Sequence, residues 1–248
     1  MGDIHAGTIH FAENELKAKV QEIKKDPAAF WIGMGDYAEW ITPSDPRWDP
    51  SQRVVADWVE PDNIATSQER YVVSLLEPIK KKCVGLLYGN HEESIRKHNH
   101  NNVQKNICEA LGVPNLGYSC FVRFAFSREN STEQHSVIGH FEHGSGNCVT
   151  KGAKLNKLRR SMESFDADLY GYAHMHDVIT DSKPYLTLNA VNRIWAADKV
   201  GAVTGCWLRT YTQGNTSSYG EQKGYPPGKI GCPVFILDPD KGTLEVKA

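Results

Sequence analysis

The sequence lacks the features that mark several special classes of protein. No apolar run approaches the roughly 18–20 residues of a membrane-spanning helix, and no signal-peptide core is present. Six cysteines are dispersed along the 248 residues without a C-x-x-C pair, so neither a zinc knuckle nor a disulfide framework is expected. We therefore expect an intracellular, cytoplasmic protein with reduced cysteines and no membrane association.

The sequence also lacks a strong net charge and any low-complexity linker. A net charge of −2, with ten histidines counted as neutral, argues against a protein that coats duplex DNA by bulk charge, although a local basic groove is compatible with it. Hydrophobic residues make up 40% and charged residues 23%, as in ordinary globular domains. With no internal repeat, residues 1–248 are expected to form one domain with a sizeable core.

The spacing of apolar residues predicts alternating helices and strands in the first half of the chain, an order that favours a parallel sheet with right-handed crossovers. The predicted elements there are a helix at 12–25, a strand at 28–34, a helix opened by a capping box at Thr66 and Glu69 and kinked at Pro78, a strand at 83–88, and a helix from Ile95 to Leu111. In the second half we expect a helix after His143 and strands at 118–126, 135–141, 168–173, 185–190, 201–208, 232–237 and 243–247. Loops are predicted at 41–50, 127–133 and 209–230.

Polar side chains follow the predicted strands at the points where the strands end. Gly89-Asn90-His91-Glu92 follows the strand at 83–88, and Gly35-Asp36 follows the strand at 28–34. His174-x-His176 follows 168–173, and Asp3-x-His5 stands almost at the start. The carboxyl ends of strands are where open α/β sheets place their sites. Residues at i and i+2 on a strand point the same way, so each D-x-H or H-x-H pair is expected to reach one ion.

The start of the chain is unusual for a site of this kind. Asp3 and His5 have no strand-length apolar segment before them. We therefore expect the first strand to be either truncated relative to a longer parent chain or unusually short.

These side chains form a mixed set of metal ligands. Carboxylate oxygen, imidazole nitrogen and a neutral amide suit Mn, Fe, Ni, Co or Zn better than Ca or Mg, which prefer shells of oxygen alone. The set is too large for one ion and about right for two ions that share one carboxylate. Asp36 is the natural bridge, because each of its oxygens can serve a different ion.

The order D-x-H, G-D, G-N-H-E, His-Gly and H-x-H, over residues 3 to 176, resembles the calcineurin-like metallophosphoesterase superfamily, and the H-G-S-G run at 143–146 resembles a phage-type branch of it. The resemblance implies a four-layer αββα sandwich of two mixed β-sheets flanked by helices, with two divalent ions, Mn favoured. It implies Asp3, His5 and His176 as ligands of one ion, Asp36 as the bridge, and Asn90, His143 and His174 as ligands of the other. His91 is then a catalytic acid rather than a ligand.

Two positions in the motifs leave alternatives open. His140 is the other candidate for the fourth motif, and we prefer His143 because that motif commonly reads His-Gly. Glu39 stands where the superfamily usually has a second aspartate, so its supporting role is not carried over.

The resemblance implies hydrolysis of a phosphoester by a hydroxide that bridges the two ions, with His91 protonating the leaving oxygen. We expect a phosphodiesterase or nuclease acting on DNA, RNA or nucleotides. The alternatives are a phosphomonoesterase of the same fold and a metal-binding interaction module without catalysis. The substrate, metal and oligomeric state are not determined by the sequence.

Two further sets of residues are candidates for substrate contacts. Lys151 and Lys154 lie near the fourth motif and could meet substrate phosphates, although a solvated helix face is the preferred interpretation of this basic run. Trp40, Trp48 and Trp58 flank the second motif and could stack on a base. Packing in the core or at the rim is at least as good an interpretation of these tryptophans.

Overall fold

The computed structural model describes residues 1–43, 45, 48, 54–130, 132, 134–188 and 191–248. Within these residues the protein is of the α/β class, as predicted, with six α-helices and ten β-strands. The helices are α1 (Glu13–Lys25), α2 (Ile64–Leu76), α3 (Asn90–Asn99), α4 (Val103–Leu111), α5 (Lys151–Ser164) and α6 (Tyr219–Gln222). The strands are β1 (Trp31–Met34), β2 (Cys83–Leu87), β3 (Asn115–Gly117), β4 (Ser119–Ser127), β5 (Gln134–Glu142), β6 (Leu169–Tyr172), β7 (Val178–Leu188), β8 (Ile194–Thr204), β9 (Val234–Asp238) and β10 (Thr243–Lys247).

The strands form a three-stranded sheet, a five-stranded sheet and a separate hairpin. The three-stranded sheet has the order β1-β2-β3 with both pairs parallel, which confirms the parallel arrangement predicted for the first half. The five-stranded sheet has the order β4-β5-β6-β8-β7 and is mixed, because its central pairs are parallel and its outer pairs antiparallel. β9 and β10 form the antiparallel hairpin.

Three clusters of buried side chains hold these elements together. Leu86 packs with residues of α1, α2 and α4. Its neighbour Leu87 points to the other face of β2 and packs with Phe141 and Leu169 of the five-stranded sheet. The alternation of a strand therefore buries both faces of β2, which explains its continuous apolar sequence. The third cluster packs Leu158 and Met162 of α5 against the five-stranded sheet.

Several predicted boundaries were wrong for local reasons. α2 begins at Ile64, after a 3-10 turn that contains Pro61, so Thr66 lies inside the helix and does not cap it. Pro78 does not kink α2, because it lies in a 3-10 helix that follows the end of α2. The predicted helix ending at Leu111 is two helices, and His100 in the left-handed conformation separates them.

The last strands also differ from their predicted ranges. β7 begins at Val178 and β8 at Ile194, well before the predicted starts at 185 and 201, because they form one long antiparallel hairpin. The last two residues of the predicted strand at 185–190 lie outside the described residues, as do half of the predicted loop at 41–50 and part of the loop at 127–133. No helix in the described part of the chain is long and apolar enough to cross a membrane.

Backbone hydrogen bonds hold the first residues of the chain beside the end of β1. Asp3 N donates to Gly35 O at 2.9 Å, and Ile4 N donates to Asp36 O at 2.8 Å. On the other side, Trp207 N donates to Asp3 O at 2.8 Å. The segment carries Asp3 and His5 without forming a bounded strand among the described residues, so its position depends on these bonds on both sides.

Candidate metal centre

The polar side chains that follow four strands lie close together. Asp36 follows β1 and Asn90 follows β2 in the three-stranded sheet, whereas His143 follows β5 and His174 follows β6 in the five-stranded sheet. The carboxyl ends of all four strands therefore supply the same site, as the sequence predicted.

One half of the site is built around Asp36 and His143. His143 Nε2 lies 3.3 Å from Asp36 Oδ2 and 3.1 Å from Asn90 Oδ1. One ligand atom each from Asp36, His143 and His174 lie within 4.8 Å of one another, a spacing that could hold a metal ion. Met34 O accepts a hydrogen bond from His143 Nδ1 at 2.7 Å, which leaves Nε2 as the nitrogen that faces the other ligands.

The other half of the site combines the first and the last of the predicted motifs, D-x-H and H-x-H. His176 Nε2 lies 3.3 Å from Asp3 Oδ1 and 3.0 Å from His5 Nε2. Ligand atoms of Asp3, His5 and His176 also lie within 4.8 Å of one another. Two ring nitrogens that face each other at this distance can share one proton at most, and a cation would satisfy both lone pairs.

The candidate ligands converge through an unusual backbone conformation. Non-glycine residues rarely adopt positive φ, because their Cβ atoms approach the following carbonyl. Five candidate ligands nevertheless do so: Asp3 (50°), His5 (52°), Asp36 (52°), His174 (67°) and His176 (48°). The strand geometry predicted for both pairs was therefore wrong. Asp3 and His5 still lie in one ligand group, whereas His174 and His176 lie in two different groups. The left-handed backbone at these five residues directs their side chains toward one another, and such strain is concentrated at functional sites.

Glycine is required at position 89 because a side chain would not fit there, and not because the backbone adopts a conformation that favours glycine. Its φ of −109° and ψ of −170° are open to any residue. A Cβ at this position would lie 2.1 Å from Asp36 Oδ1 and 2.6 Å from His143 Cε1. The absence of a side chain thus allows the loop after β2 to approach the ligands that follow β1 and β5.

Glu92 joins the loops that follow β1 and β2. Glu92 lies in the first turn of α3, where it is buried and accepts four N–H groups. The donors are Asp36 N (2.9 Å) and Gly89 N (2.8 Å) to Oε2, and Tyr37 N (2.8 Å) and Trp40 Nε1 (3.1 Å) to Oε1. Hydrogen bonds to a charged acceptor are about twice as strong as neutral ones, so Glu92 fixes Asp36 relative to Asn90.

Replacing Glu92 with glutamine is expected to lower the free energy of unfolding of the metal-free protein by about 2–4 kcal/mol. Each carboxylate oxygen accepts two N–H groups, so the amide NH₂ must face two donors in either orientation. Guanidinium unfolding followed by circular dichroism measures the change. Glu93→Gln is the matched control, because Glu93 pairs with the exposed Arg96 at 2.7 Å. A change within about 0.5 kcal/mol for Glu92→Gln would contradict the role of Glu92 as a tether.

Glu39 is a site residue to which the sequence assigned no role. Its Oε1 lies 3.0 Å from His5 Nδ1, and its Oε2 lies 3.6 Å from His91 Nδ1. A carboxylate on the far nitrogen of a histidine fixes the ring and raises its basicity as a ligand. Glu39, His5 and His91 also form a third group whose ligand atoms are close enough to hold an ion. The D-x-x-E spacing after Gly35 was the available signal.

His91 lies between the two halves of the site. Its backbone N donates to Asp36 Oδ1 at 3.0 Å, and its Nδ1 lies 3.0 Å from Glu39 O. With Nδ1 donating to that carbonyl, Nε2 is the nitrogen directed toward Asp36, 3.8 Å from its Oδ2. The ring also lies edge-on to His5, with 4.9 Å between the centroids.

Burial and charge act in opposite directions on the ligands. Burial alone would raise the pKa of Asp36, but His143 and His91 outweigh it and hold that pKa well below its usual range. Burial alone would lower the pKa of His143, but the Asp36 carboxylate raises it to about 10. Burial lowers the pKa of His174, which favours the neutral imidazole that binds metals. A cation that binds His143 must therefore displace a tightly held proton.

Buried ligand atoms without hydrogen bonds test whether these residues fit metal ions. Within the described residues, no hydrogen bond of suitable geometry satisfies Asp3 Oδ1, Asp36 Oδ2 or His174 Nδ1. Buried polar atoms are rarely left in this state, and all three lie in the groups described above. Borderline divalent ions suit carboxylate and imidazole donors of this kind. The residues therefore fit a metal site.

Compared with known proteins, the chain matches no family model and no curated sequence.

The structure separates the remaining candidates into those near the site and those outside it. His140 lies away from the ligands, with its Nδ1 3.2 Å from Ser161 Oγ and its ring stacked on Phe165 at 3.9 Å. Lys151 is exposed at the start of α5. Lys154 is buried and lines the cleft, 3.5 Å from Asp177 Oδ2.

The three tryptophans also have different surroundings. Trp40 is buried, and Trp58 stacks on Tyr71 with 3.9 Å between the rings, so both take the packing role. Trp48 lines the cleft. That cleft has a volume of about 950 Å³ and is lined by His5, Asp36, Asn90, His91, His174 and His176, among others.

Proposed function

We propose that the protein is a phosphoester hydrolase that depends on two divalent metal ions, and that it acts as a phosphodiesterase or nuclease on nucleic acid or nucleotides. The observation that carries the proposal is the placement of two adjacent groups of largely buried ligands, one around Asp36 and one around Asp3, on either side of His91. The four-layer sandwich of the metallophosphoesterase superfamily is part of the same proposal. The packing of the two sheets through Leu87 and Phe141 supports it.

The ligand assignment follows the two groups. Asp3, His5 and His176 would hold one ion, and Asn90, His143 and His174 would hold the other, with Asp36 between them. Bound ions, Mn²⁺ in the favoured case, would neutralise charge on a phosphoryl group and lower the pKa of a water molecule.

The chain's own residues orient and protonate the substrate. His91 is held through Nδ1 by the carbonyl of Glu39, so its Nε2 is directed into the cleft, where it can give a proton to the leaving oxygen. General acid catalysis of this kind contributes about 10²–10⁴-fold. Glu92 positions Asp36 by accepting its backbone N–H, and Glu39 positions His5 and His91 through their Nδ1 atoms.

The size of the cleft and two lysines in its lining favour a diester over a monoester. A volume of about 950 Å³ lies at the upper end of small-molecule sites, which span roughly 300–1,000 Å³. Lys154 and Lys223 both line it, and cations beyond the scissile phosphate are useful for a substrate with further phosphates. A phosphomonoesterase remains the second enzymatic candidate.

A first assay tests hydrolysis directly. Protein stripped of metal by a chelator is expected to be inactive. After reloading with Mn²⁺ it is expected to hydrolyse bis(p-nitrophenyl) phosphate, and to hydrolyse the monoester p-nitrophenyl phosphate more slowly. Release of p-nitrophenolate and metal analysis of the same samples are the measurements. Turnover of neither ester by protein that holds two ions per chain would refute the enzymatic proposal, and faster turnover of the monoester would favour the phosphomonoesterase.

One observation favours a metal-binding module without catalysis. The group formed by His5, Glu39 and His91 would make His91 a ligand and remove it from acid catalysis. Metal content after substitution of His91 separates these two roles.

A further inference from the structure

One wall of the cleft comes from a segment that supplies none of the candidate ligands. This segment, residues 209–228, is fixed to three other parts of the site. Thr212 Oγ1 lies 3.2 Å from His10 Nδ1, and Tyr225 donates its hydroxyl to Asn147 Oδ1 at 2.7 Å. Gly228 passes so close to the metal-ligand loop that a Cβ there would lie 2.2 Å from His176 O. The wall is therefore anchored beside the candidate metal centre.

The wall is also held internally, although it contains little regular structure. Ser218 donates its hydroxyl to Thr210 O at 2.6 Å and accepts Glu221 N at 3.1 Å, which starts the short helix α6. These bonds fix the direction in which α6 presents its side chains.

Aromatic and cationic side chains of this wall face the cleft. Tyr219 lines the cleft and is 55% exposed, so much of its ring is available to a ligand. Tyr225 lies edge-on to it, with 6.4 Å between the centroids and 83° between the planes. Lys223 Nζ lies 5.7 Å from the centroid of the Tyr219 ring. An inorganic phosphate or a simple alkyl ester has no use for an exposed aromatic surface, whereas a planar base stacks on one.

We propose that Tyr219 is a stacking platform for a nucleobase attached to the phosphoester that reaches the metal centre, and that Lys223 neutralises a phosphate next to that base. The inference rests on the proposed function and specifies its substrate class as nucleotides or single-stranded nucleic acid with accessible bases. Stacking tolerates any base, because every base has a π-face, so the subsite selects nucleotides without selecting a sequence.

A pair of substrates with the same leaving group tests the subsite. Thymidine 5′-(p-nitrophenyl phosphate) and methyl p-nitrophenyl phosphate differ only in the group on the other side of the phosphate. The Mn²⁺-loaded protein is expected to prefer the thymidine ester in kcat/KM. Tyr219→Ala should reduce that preference by roughly 5- to 150-fold, whereas Tyr219→Phe keeps the ring and the preference. Lys223→Ala should lower kcat/KM for the thymidine ester less than Tyr219→Ala does. This loss should be smaller at high salt, because salt screens the lysine charge.

Tyr185→Ala is the matched control, because Tyr185 is also partly exposed and also has a lysine, Lys199, 5.8 Å from its ring centroid. Tyr185 lies on β7 and is not among the described residues that line the cleft. Its substitution should leave the preference unchanged. An equal loss in Tyr185→Ala and Tyr219→Ala would overturn the proposal.

A binding measurement separates failure of this inference from failure of the proposed function. Calorimetric titration with thymidine 5′-monophosphate and deoxyribose 5-phosphate requires no hydrolysis. Tighter binding of the nucleotide, lost in Tyr219→Ala, supports the subsite even if neither ester is cleaved, and in that case only the hydrolase proposal fails. The opposite outcome is that both esters are cleaved, but Tyr219→Ala changes neither the preference for the thymidine ester nor the affinity for the nucleotide. That result would overturn the subsite alone.

Discussion

Substitution of Asp36 by asparagine is expected to reduce bound metal from two ions per chain to one or fewer and to lower hydrolysis by more than about 100-fold. Loss of an outer partner of a ligand already costs about 10–100-fold, and Asp36 is placed to bind directly. Asparagine keeps the shape of the side chain and can still accept His91 N at Oδ1. The variant therefore removes the negative charge and one ligand oxygen without opening a cavity.

Metal content by mass spectrometry and p-nitrophenolate release check this expectation in the same samples. Asp62→Asn is a suitable control, because Asp62 is an exposed carboxylate in a 3-10 turn. Loss of the Asp36 charge can also be measured in a second way. Since the Asp36 carboxylate raises the pKa of His143 to about 10, the imidazole of metal-free Asp36→Asn should titrate at lower pH in NMR spectra. Unchanged metal content would remove Asp36 as the bridge between the ions.

Substitution of His91 by alanine is expected to lower kcat by about 10²–10⁴-fold while metal content stays near two ions per chain. His91 Nδ1 is engaged by Glu39 O, which leaves Nε2 to act on the leaving oxygen. The loss should be smaller for p-nitrophenyl esters than for alkyl esters, because nitrophenolate leaves without needing a proton. This dependence on the leaving group distinguishes an acid from a residue that only holds the site together.

Metal analysis of His91→Ala also decides between the enzyme and the binding module. If the group of His5, Glu39 and His91 holds an ion, alanine at position 91 must lower metal content. His98→Ala is the control, because His98 is an exposed histidine of the same helix, α3. Loss of an ion from His91→Ala, with His98→Ala unaffected, would contradict the assignment of His91 as an acid.

The apolar and turn patterns predicted four of the candidate ligands as side chains that follow strands. Asp36, Asn90, His143 and His174 each follow a segment that does form a strand, and strands that end together bring such residues together. This information is local, because a strand and the residue after it are neighbours in the sequence. It was sufficient for the α/β class, the parallel first sheet and the candidate ligands.

Only the tertiary structure decided how those ligands are held and oriented. Glu92 reads locally as a helix start, yet its carboxylate binds the backbone of Asp36, 56 positions away. Asp3 occupies its place through bonds to Gly35 and Trp207, which no pattern near the start of the chain encodes. Contacts of this kind depend on the closure of long loops, and a single sequence carries no periodic signal for them.

The same limit applies to the cleft beyond the ligands. Residues 209–230 were predicted as a loop, and no local signal placed Tyr219 in the cleft of the candidate ligands, because the bonds to His10 and Asn147 join segments far apart in sequence. Local sequence patterns thus predicted the chemical groups that supply the candidate ligands. Packing between distant segments determined their left-handed backbone, their tethers and the wall that a substrate would meet.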